Sequence, residues 1–224
     1  MAAGHRSTPD GRRAFEQLCE RYWYPLYAHA RQREPDSHRA RDLIQGFFEK
    51  VIEKNYIADA DPRRGRFRTF LLASFGHYVS NERDKANALK RGGGAFHFDL
   101  DFDDADQRYH LEPADTETPV MRYERLWARA LLKRVLELLR QEYDTEDRRR
   151  VFAELHCFLT PSSHAENYVE VGERLKISEG AVKVAVHRMR RRYRDLLRKE
   201  IAMTIENPGD VDDEISRLFE AFGS

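Results

Sequence analysis

Apolar residues recur at intervals of three and four along this 224-residue chain, and nowhere do they alternate with polar ones over a useful length. That spacing lines one face of an α-helix, whereas a half-buried strand needs a period of two. Residues 12–33 place Phe15, Leu18, Tyr22, Leu26 and Ala30 on such a face. Pro25 lies inside it and predicts a kink or a new first turn. After a break at 34–38, where Asp36 or Ser37 can cap, a second helix at 39–54 carries Leu43, Phe47, Phe48, Val51 and Ile52. A third runs from about Arg66 to Arg91, with Phe67, Phe70, Leu71, Tyr78 and Val79 in period, and stops at Gly92-Gly93-Gly94. Further helical patterns cover 121–143, 147–159, 167–175 and 179–203. The tail, 210–222, sets Ile215, Leu218, Phe219 and Phe222 behind Asp210, Asp212, Asp213 and Glu214, and acids suit a helix start. The fold class expected is all-α.

Between the two helical sets, residues 95–119 are acidic, hold Pro113 and Pro119, and show no sustained amphipathic period. They read as a linker, able to reach about 80 Å when extended. The layout expected is a first lobe at 12–94, a linker at 95–120, a second lobe at 121–203 and an acidic extension at 204–224.

The formal net charge of zero hides a segmental pattern. Residues 1–98 hold 18 Lys and Arg against 12 Asp and Glu, and residues 167–203 hold 10 against 5. Residues 99–122 hold 2 against 8, and residues 204–224 hold 1 against 6. Two basic surfaces in a chain of neutral total point to nucleic acid. No apolar run of membrane-spanning length occurs and Met1 to Asp10 carry no signal-peptide core, so a cytoplasmic chain without membrane insertion is expected. Cys19 and Cys157 stand far apart, which excludes a disulfide framework or zinc knuckle. Gly92-Gly93-Gly94 lacks the Lys-Ser/Thr of a phosphate loop, no histidine pair has metal-ligand spacing, and Asp99 to Asp106 lack the glycine and distal glutamate of a calcium loop. Neither an enzyme nor a cofactor is expected.

Residues 168–192 read YVEVGERLKISEGAVKVAVHRMRRR. A helix-turn-helix needs apolar residues inside both helices, a small residue where they cross, and a tight turn. Val171, Leu175, Ile177, Val182 and Ala185 supply the inward set, and Gly172 is the small residue. Ser178 can cap the second helix, and Glu179 suits its first turn. Lys176 stands where glycine often makes the turn; a left-handed Lys there costs about 1 kcal/mol. The second helix exposes Lys183, His187, Arg188, Arg190, Arg191, Arg192 and Arg194, a set that suits a major groove and its phosphates.

From Ser178, SEGAVKVAVHRMRRRYRDLL closely resembles region 4 of extracytoplasmic-function (ECF) sigma factors of the sigma-70 family. ARDLIQGFFEKV resembles region 2.2 of that family, and GRFRTFLLASFGHYVSNERDKANALKR resembles regions 2.3 and 2.4. The resemblance covers residues 12–91 and 123–200 in the family's order.

It implies a subunit that directs core RNA polymerase to promoter DNA and helps open the strands. In region 2.2 the positions matching the polymerase contact are Asp42, Leu43, Gln45, Phe47, Phe48, Glu49 and Val51. Leu43, Phe47 and Val51 share one stripe and suit the core, whereas Asp42, Gln45 and Glu49 lie off it. For the opened minus-ten element, the resemblance implies His77, Tyr78, Asn81, Arg83, Lys85, Asn87, Lys90 and Arg91, with rings to stack on bases and cations for the backbone. Arg66 and Arg68 start the same helix, either as part of that strand-holding surface or as ordinary solvated charge. For the duplex minus-thirty-five element it implies Ser178, Glu179, Ala181, Lys183, Val184 and His187 near base edges, with Arg188, Arg190 and Arg191 on phosphates. The linker aspartates Asp99, Asp101, Asp103, Asp104 and Asp106 would imitate RNA in a polymerase channel or serve as a solubilising tether. Residues 204–222 would fold back on a lobe, cap it, or bind a regulator. An anti-sigma factor or other regulator is the further partner implied, and the free chain is expected as a monomer. The alternative is a stand-alone helix-turn-helix regulator, which has no need of the region 2 lobe.

Overall fold

The structure, a computed structural model, describes residues 9–54, 67–88, 100–111, 118–159, 167–205 and 208–222. Every regular element among them is helical, as the periodicity predicts. α1 (Pro9–Arg31), α2 (Ser37–Lys54), α3 (Phe67–Ala88), α4 (Phe102–Leu111) and α5 (Pro119–Gln141) are followed by α6 (Glu146–Leu155), α7 (Tyr168–Leu175), α8 (Glu179–Ala202) and α9 (Val211–Glu220). Short 3-10 turns occupy His156–Leu159 and Pro208–Asp210. α1 continues through Pro25 instead of starting anew there.

The described residues gather into two compact units. One holds α1 to α4, α5 as far as Ala128, residues 204–205 and the chain from Ser216. The other holds α5 from Arg129, α6 to α8, and α9 as far as Ile215. One boundary between the units falls inside α5, and α9 is divided between them after Ile215.

In the first unit, α1, α2 and α3 bury Leu26, Ile44, Phe47, Phe48, Leu71 and Phe75. Phe47 meets Phe75 edge to face at 5.2 Å. Of the apolar face expected on α1, Tyr22, Leu26 and Ala30 are buried, and the side chains of Phe15 and Leu18 lie outside the described residues; Tyr24 and Tyr27 are also buried, on other sides of the same helix. Their cover is α4. Phe102 meets Trp23 and Tyr27 edge-on at 5.4 Å each, and Ala105 is fully buried. The Arg108 guanidinium lies 3.9 Å over the Tyr24 ring, and Arg31 lies 5.1 Å over Tyr109.

This corrects the linker reading. The stretch 102–111 is a helix docked on α1, and its aspartates are engaged rather than free. Asp101 caps it by accepting from the Asp104 amide at 3.0 Å. Asp103 pairs with Arg41, and Asp104 with Arg108. Asp106 accepts from the Tyr27 hydroxyl at 2.9 Å and from Arg31 Nε at 3.0 Å. The physical reason is that acidic side chains here complement arginines on α1, α2 and α4 while Phe102 and Ala105 face inward. Asp99 lies outside the described residues. The start of α5 docks on the same unit: the Tyr123 hydroxyl donates to the Arg68 carbonyl at 3.2 Å, and Arg68 itself lies 4.3 Å over Trp127. Arg68 is thus buried, not solvated surface charge.

In the second unit, α5 contributes Leu131, Val135 and Leu139, α6 contributes Phe152 and Leu155, and α8 contributes Val182, Val186, Met189, Leu197 and Ile201. Arg192 of α8 donates through Nε to both carboxylate oxygens of Glu142, at 2.9 and 2.8 Å. Arg198 clasps Asp212, with Nη2 donating to Oδ2 at 3.1 Å, so the acidic start of α9 folds back on α8. In α9 Val211 is buried and Ile215 half-buried; in the part of the tail that belongs to the first unit, Leu218 is buried, while Phe219 and Phe222 are exposed.

Asp106 carries a pH dependence. Burial pushes its carboxyl up, but the Tyr27 hydroxyl and the Arg31 guanidinium outweigh that and hold it below the ordinary carboxylate value. A depressed folded value means that this stabilisation is complete above about pH 4 and is lost as pH falls through the folded value. Trp23, whose ring touches Phe102, reports the docking of α4 by its fluorescence. Acidification is expected to change that signal in the wild type, and Asp106→Asn is expected to flatten the transition. Asp106→Ala, which leaves the buried Arg31 guanidinium without its carboxylate, is expected to cost about 1–3 kcal/mol in a denaturant titration.

Candidate nucleic-acid interface

α7 begins at an Asn167 cap whose side chain accepts from the Val169 amide at 3.0 Å. It ends at Lys176, which is left-handed at φ 58° and ψ 41°, as its place in the turn predicts. The turn is closed by the Ile177 amide donating to the Gly172 carbonyl at 2.9 Å. A Cβ on Gly172 would lie 2.8 Å from the Ile177 carbonyl oxygen, so only glycine lets the turn fold against α7. Ser178 then caps α8, its hydroxyl accepting from the Ala181 amide at 3.2 Å. Val171 and Val182 are fully buried on facing sides, while Leu175 and Ala185 are half-buried. Ile177 is a correction: it sits in the turn with 40% of its surface exposed and does not join the inward set.

With Val182, Val186 and Met189 inward, α8 turns Gly180, Ala181, Lys183, Val184, His187, Arg188 and Arg191 outward, all exposed. Ser178 and Glu179 are exposed at its start. Lys183 and Glu179 pair across one turn at 2.6 Å, and that carboxylate raises the Lys183 pKa. Both side chains are exposed, so solvent screens the pair and it can open at small cost.

The arginines of α8 divide into two groups. Arg190, expected on a phosphate, donates through Nε and Nη2 to the Phe158 carbonyl at 2.9 and 2.7 Å. It satisfies the exposed end of the 3-10 turn, and its role is structural. Arg192 and Arg198 are held by carboxylates. Among the described residues, no hydrogen bond or ion pair engages Arg188, Arg191 or Arg194.

Beside the outward face, α6 and α8 leave a groove of about 410 Å³ between Tyr143, Val151, Leu155, Ala181, Val184 and Ala185. Sequence reasoning missed this edge, because Val151 and Leu155 read simply as core; their one-turn spacing on α6 was the available signal.

On the first unit, His77, Asn81 and Arg83 are exposed on α3. Tyr78 is not free to stack on a base. Its ring lies 5.8 Å from Phe47, the Lys50 ammonium sits 4.7 Å over it, and its hydroxyl fills the space that a Cβ on Gly46 would take. Burial, with Glu82, Glu49 and Asp42 nearby, pushes its hydroxyl above the usual tyrosine range. The side chains of Lys85 and Asn87, and all of Lys90, Arg91 and Arg66, lie outside the described residues. On α2, Phe47 and Val51 are core, as their shared stripe predicts, and Phe48 is buried as well, which takes it off the surface open to a partner. Asp42 is exposed, and Leu43, Gln45 and Glu49 are half-buried.

Among the described residues, no cluster of metal-ligating side chains and no helix long and apolar enough to cross a membrane occurs. No family model, curated protein or solved structure matches the chain. In the second unit α7 and α8 are two helices joined by the tight turn at Lys176 and Ile177.

Two substitutions test the elbow in opposite directions. Gly172→Ala drives a methyl into a backbone carbonyl and is expected to destabilise the second unit by about 1–3 kcal/mol. Lys176→Gly relieves the left-handed lysine and is expected to stabilise it by about 1 kcal/mol. Chemical denaturation followed by far-ultraviolet circular dichroism measures both.

Proposed function

We propose that this chain is a sigma-type promoter-specificity subunit. It binds core RNA polymerase, brings it to promoter DNA, and assists strand opening. The first unit takes the part of region 2 and the second the part of region 4, and the chain works in the cytoplasm without a metal or cofactor of its own. The observation that carries the reading is the capped helix α8, whose outward face keeps Arg188 and Arg191 uncommitted while its inward face is packed. A helix so held enters a major groove as a rigid body, with base edges before its N-terminal half and phosphates beside its arginines. The region 2 resemblance supports the polymerase part, with Asp42 as the exposed contact and Gln45 and Glu49 beside it.

The test is reconstitution with core polymerase on a library of genomic fragments, followed by mapping of transcript starts. Starts that share a pair of upstream elements are expected. Absence of binding to core enzyme, with unchanged starts, would overturn the reading.

Two variants separate the surfaces. Arg188→Ala and Arg191→Ala are each expected to weaken duplex binding across all sequences and to lower the salt slope of log K by about 1. Asp42→Lys, at an exposed position, is expected to weaken polymerase binding and leave duplex binding by the free chain unchanged.

A further inference from the structure

Exposed valines are commonplace on protein surfaces, but the position of Val184 is not. It is 51% exposed, and at about 100° per residue it falls on the side of α8 opposite Val182, Val186 and Met189. His187 and Arg188 flank it in the next turn, Gly180 and Ala181 in the turn before, and Val184 itself lines the edge of the groove along α6. One turn earlier stands Gly180. It is the second residue of α8, in the first turn that Ser178 caps. Nothing in the fold requires it, since a Cβ there would meet only the Ser178 hydroxyl, at 4.0 Å. The groove along α6 continues the apolar surface on the other side through Ala181 and Ala185.

We infer that Val184 reads the 5-methyl group of a thymine, with Gly180 leaving room for the base edge to come into contact. This rests on the reading of α8 as a duplex-reading helix. In the major groove every base pair offers polar donors and acceptors, and thymine alone among the bases adds a methyl group. Valine has neither donor nor acceptor. Against a guanine or adenine edge it strips water from polar atoms and returns nothing. Against thymine it meets carbon with carbon and removes both from water. The ligand is therefore duplex DNA with thymine at one fixed position of its element.

The test runs the full chain, alone and bound to core polymerase, against a random duplex library. The selected duplex is then remade with deoxyuridine in place of each thymine in turn. One position is expected to lose affinity about fourfold, the worth of one methyl group taken out of water. Val184→Ala is expected to bind the thymine and deoxyuridine duplexes equally at that position. Gly180→Ala is expected to leave the fold intact and to weaken binding to the thymine duplex. Arg188→Ala is expected to weaken both duplexes alike. Equal binding of every deoxyuridine duplex by the wild type, or discrimination that persists in Val184→Ala, overturns the assignment. Enrichment of no sequence at all instead overturns the duplex reading, and the assignment falls with it.

Discussion

The approach of Gly172 to the Ile177 carbonyl governs what the second unit can present. A side chain at 172 would be 2.8 Å from that oxygen, so the turn and α7 meet backbone to backbone. The approach fixes where Ser178 stands, and Ser178 fixes the first turn of α8 through its cap to Ala181. From there helical geometry does the rest. Burying Val182, Val186 and Met189 leaves no choice about which residues face outward. Lys176 accepts a left-handed backbone to complete this, a strain of about 1 kcal/mol against fully buried Val171 and Val182, each worth about 1.5–3 kcal/mol. Packing wins over local preference.

The first unit depends on a different balance. α1 offers apolar or aromatic surface on more than one side, and a helix so endowed needs more than one neighbour. α2 and α3 cover one side, and α4 covers another. Here burial outweighs charge pairing. Phe102 removes a whole aromatic ring from water, a gain of about 1.5–3 kcal/mol, whereas the exposed pairing of Asp103 with Arg41 contributes about 0–1 kcal/mol. Asp106 differs because its arginine is buried, so its loss would strand a charge.

What could be read from the chain follows from how local each signal is. The bounds of α7 and α8, the Ser178 cap, the small residue at 172 and the left-handed Lys176 are all encoded within a dozen residues, and the structure has them there. α4 escaped because eight acids over residues 99–122 dominate its composition, although Phe102, Ala105 and Tyr109 keep helical spacing within it. Its docking partner, the row Trp23, Tyr24 and Tyr27, lies about 80 residues away and reads by itself as part of one amphipathic helix. Arg190 and Arg192 looked like free cations because their partners, the Phe158 carbonyl and Glu142, are tertiary neighbours that no spacing rule reveals. Tyr78 and Phe48 fail as partner contacts for the same reason: the period says which residues share a face, and only packing says which face is covered.

A net charge of zero is compatible with nucleic-acid binding because much of the acid is spent within the chain. Asp103 and Asp106 neutralise Arg41 and Arg31, Glu142 takes Arg192, and Asp212 takes Arg198. Cations so paired must first leave a carboxylate before they can bind a phosphate. Among the described residues, Arg188 and Arg191 of α8 carry no hydrogen bond or ion pair. They sit beside Val184 on that face. Phosphate contacts hold a helix in register without choosing a sequence. On the proposed reading of α8 as a duplex-reading helix, the division of labour follows from its chemistry: affinity and salt dependence from the arginines, and discrimination between base pairs from the uncharged residues in the turn before them.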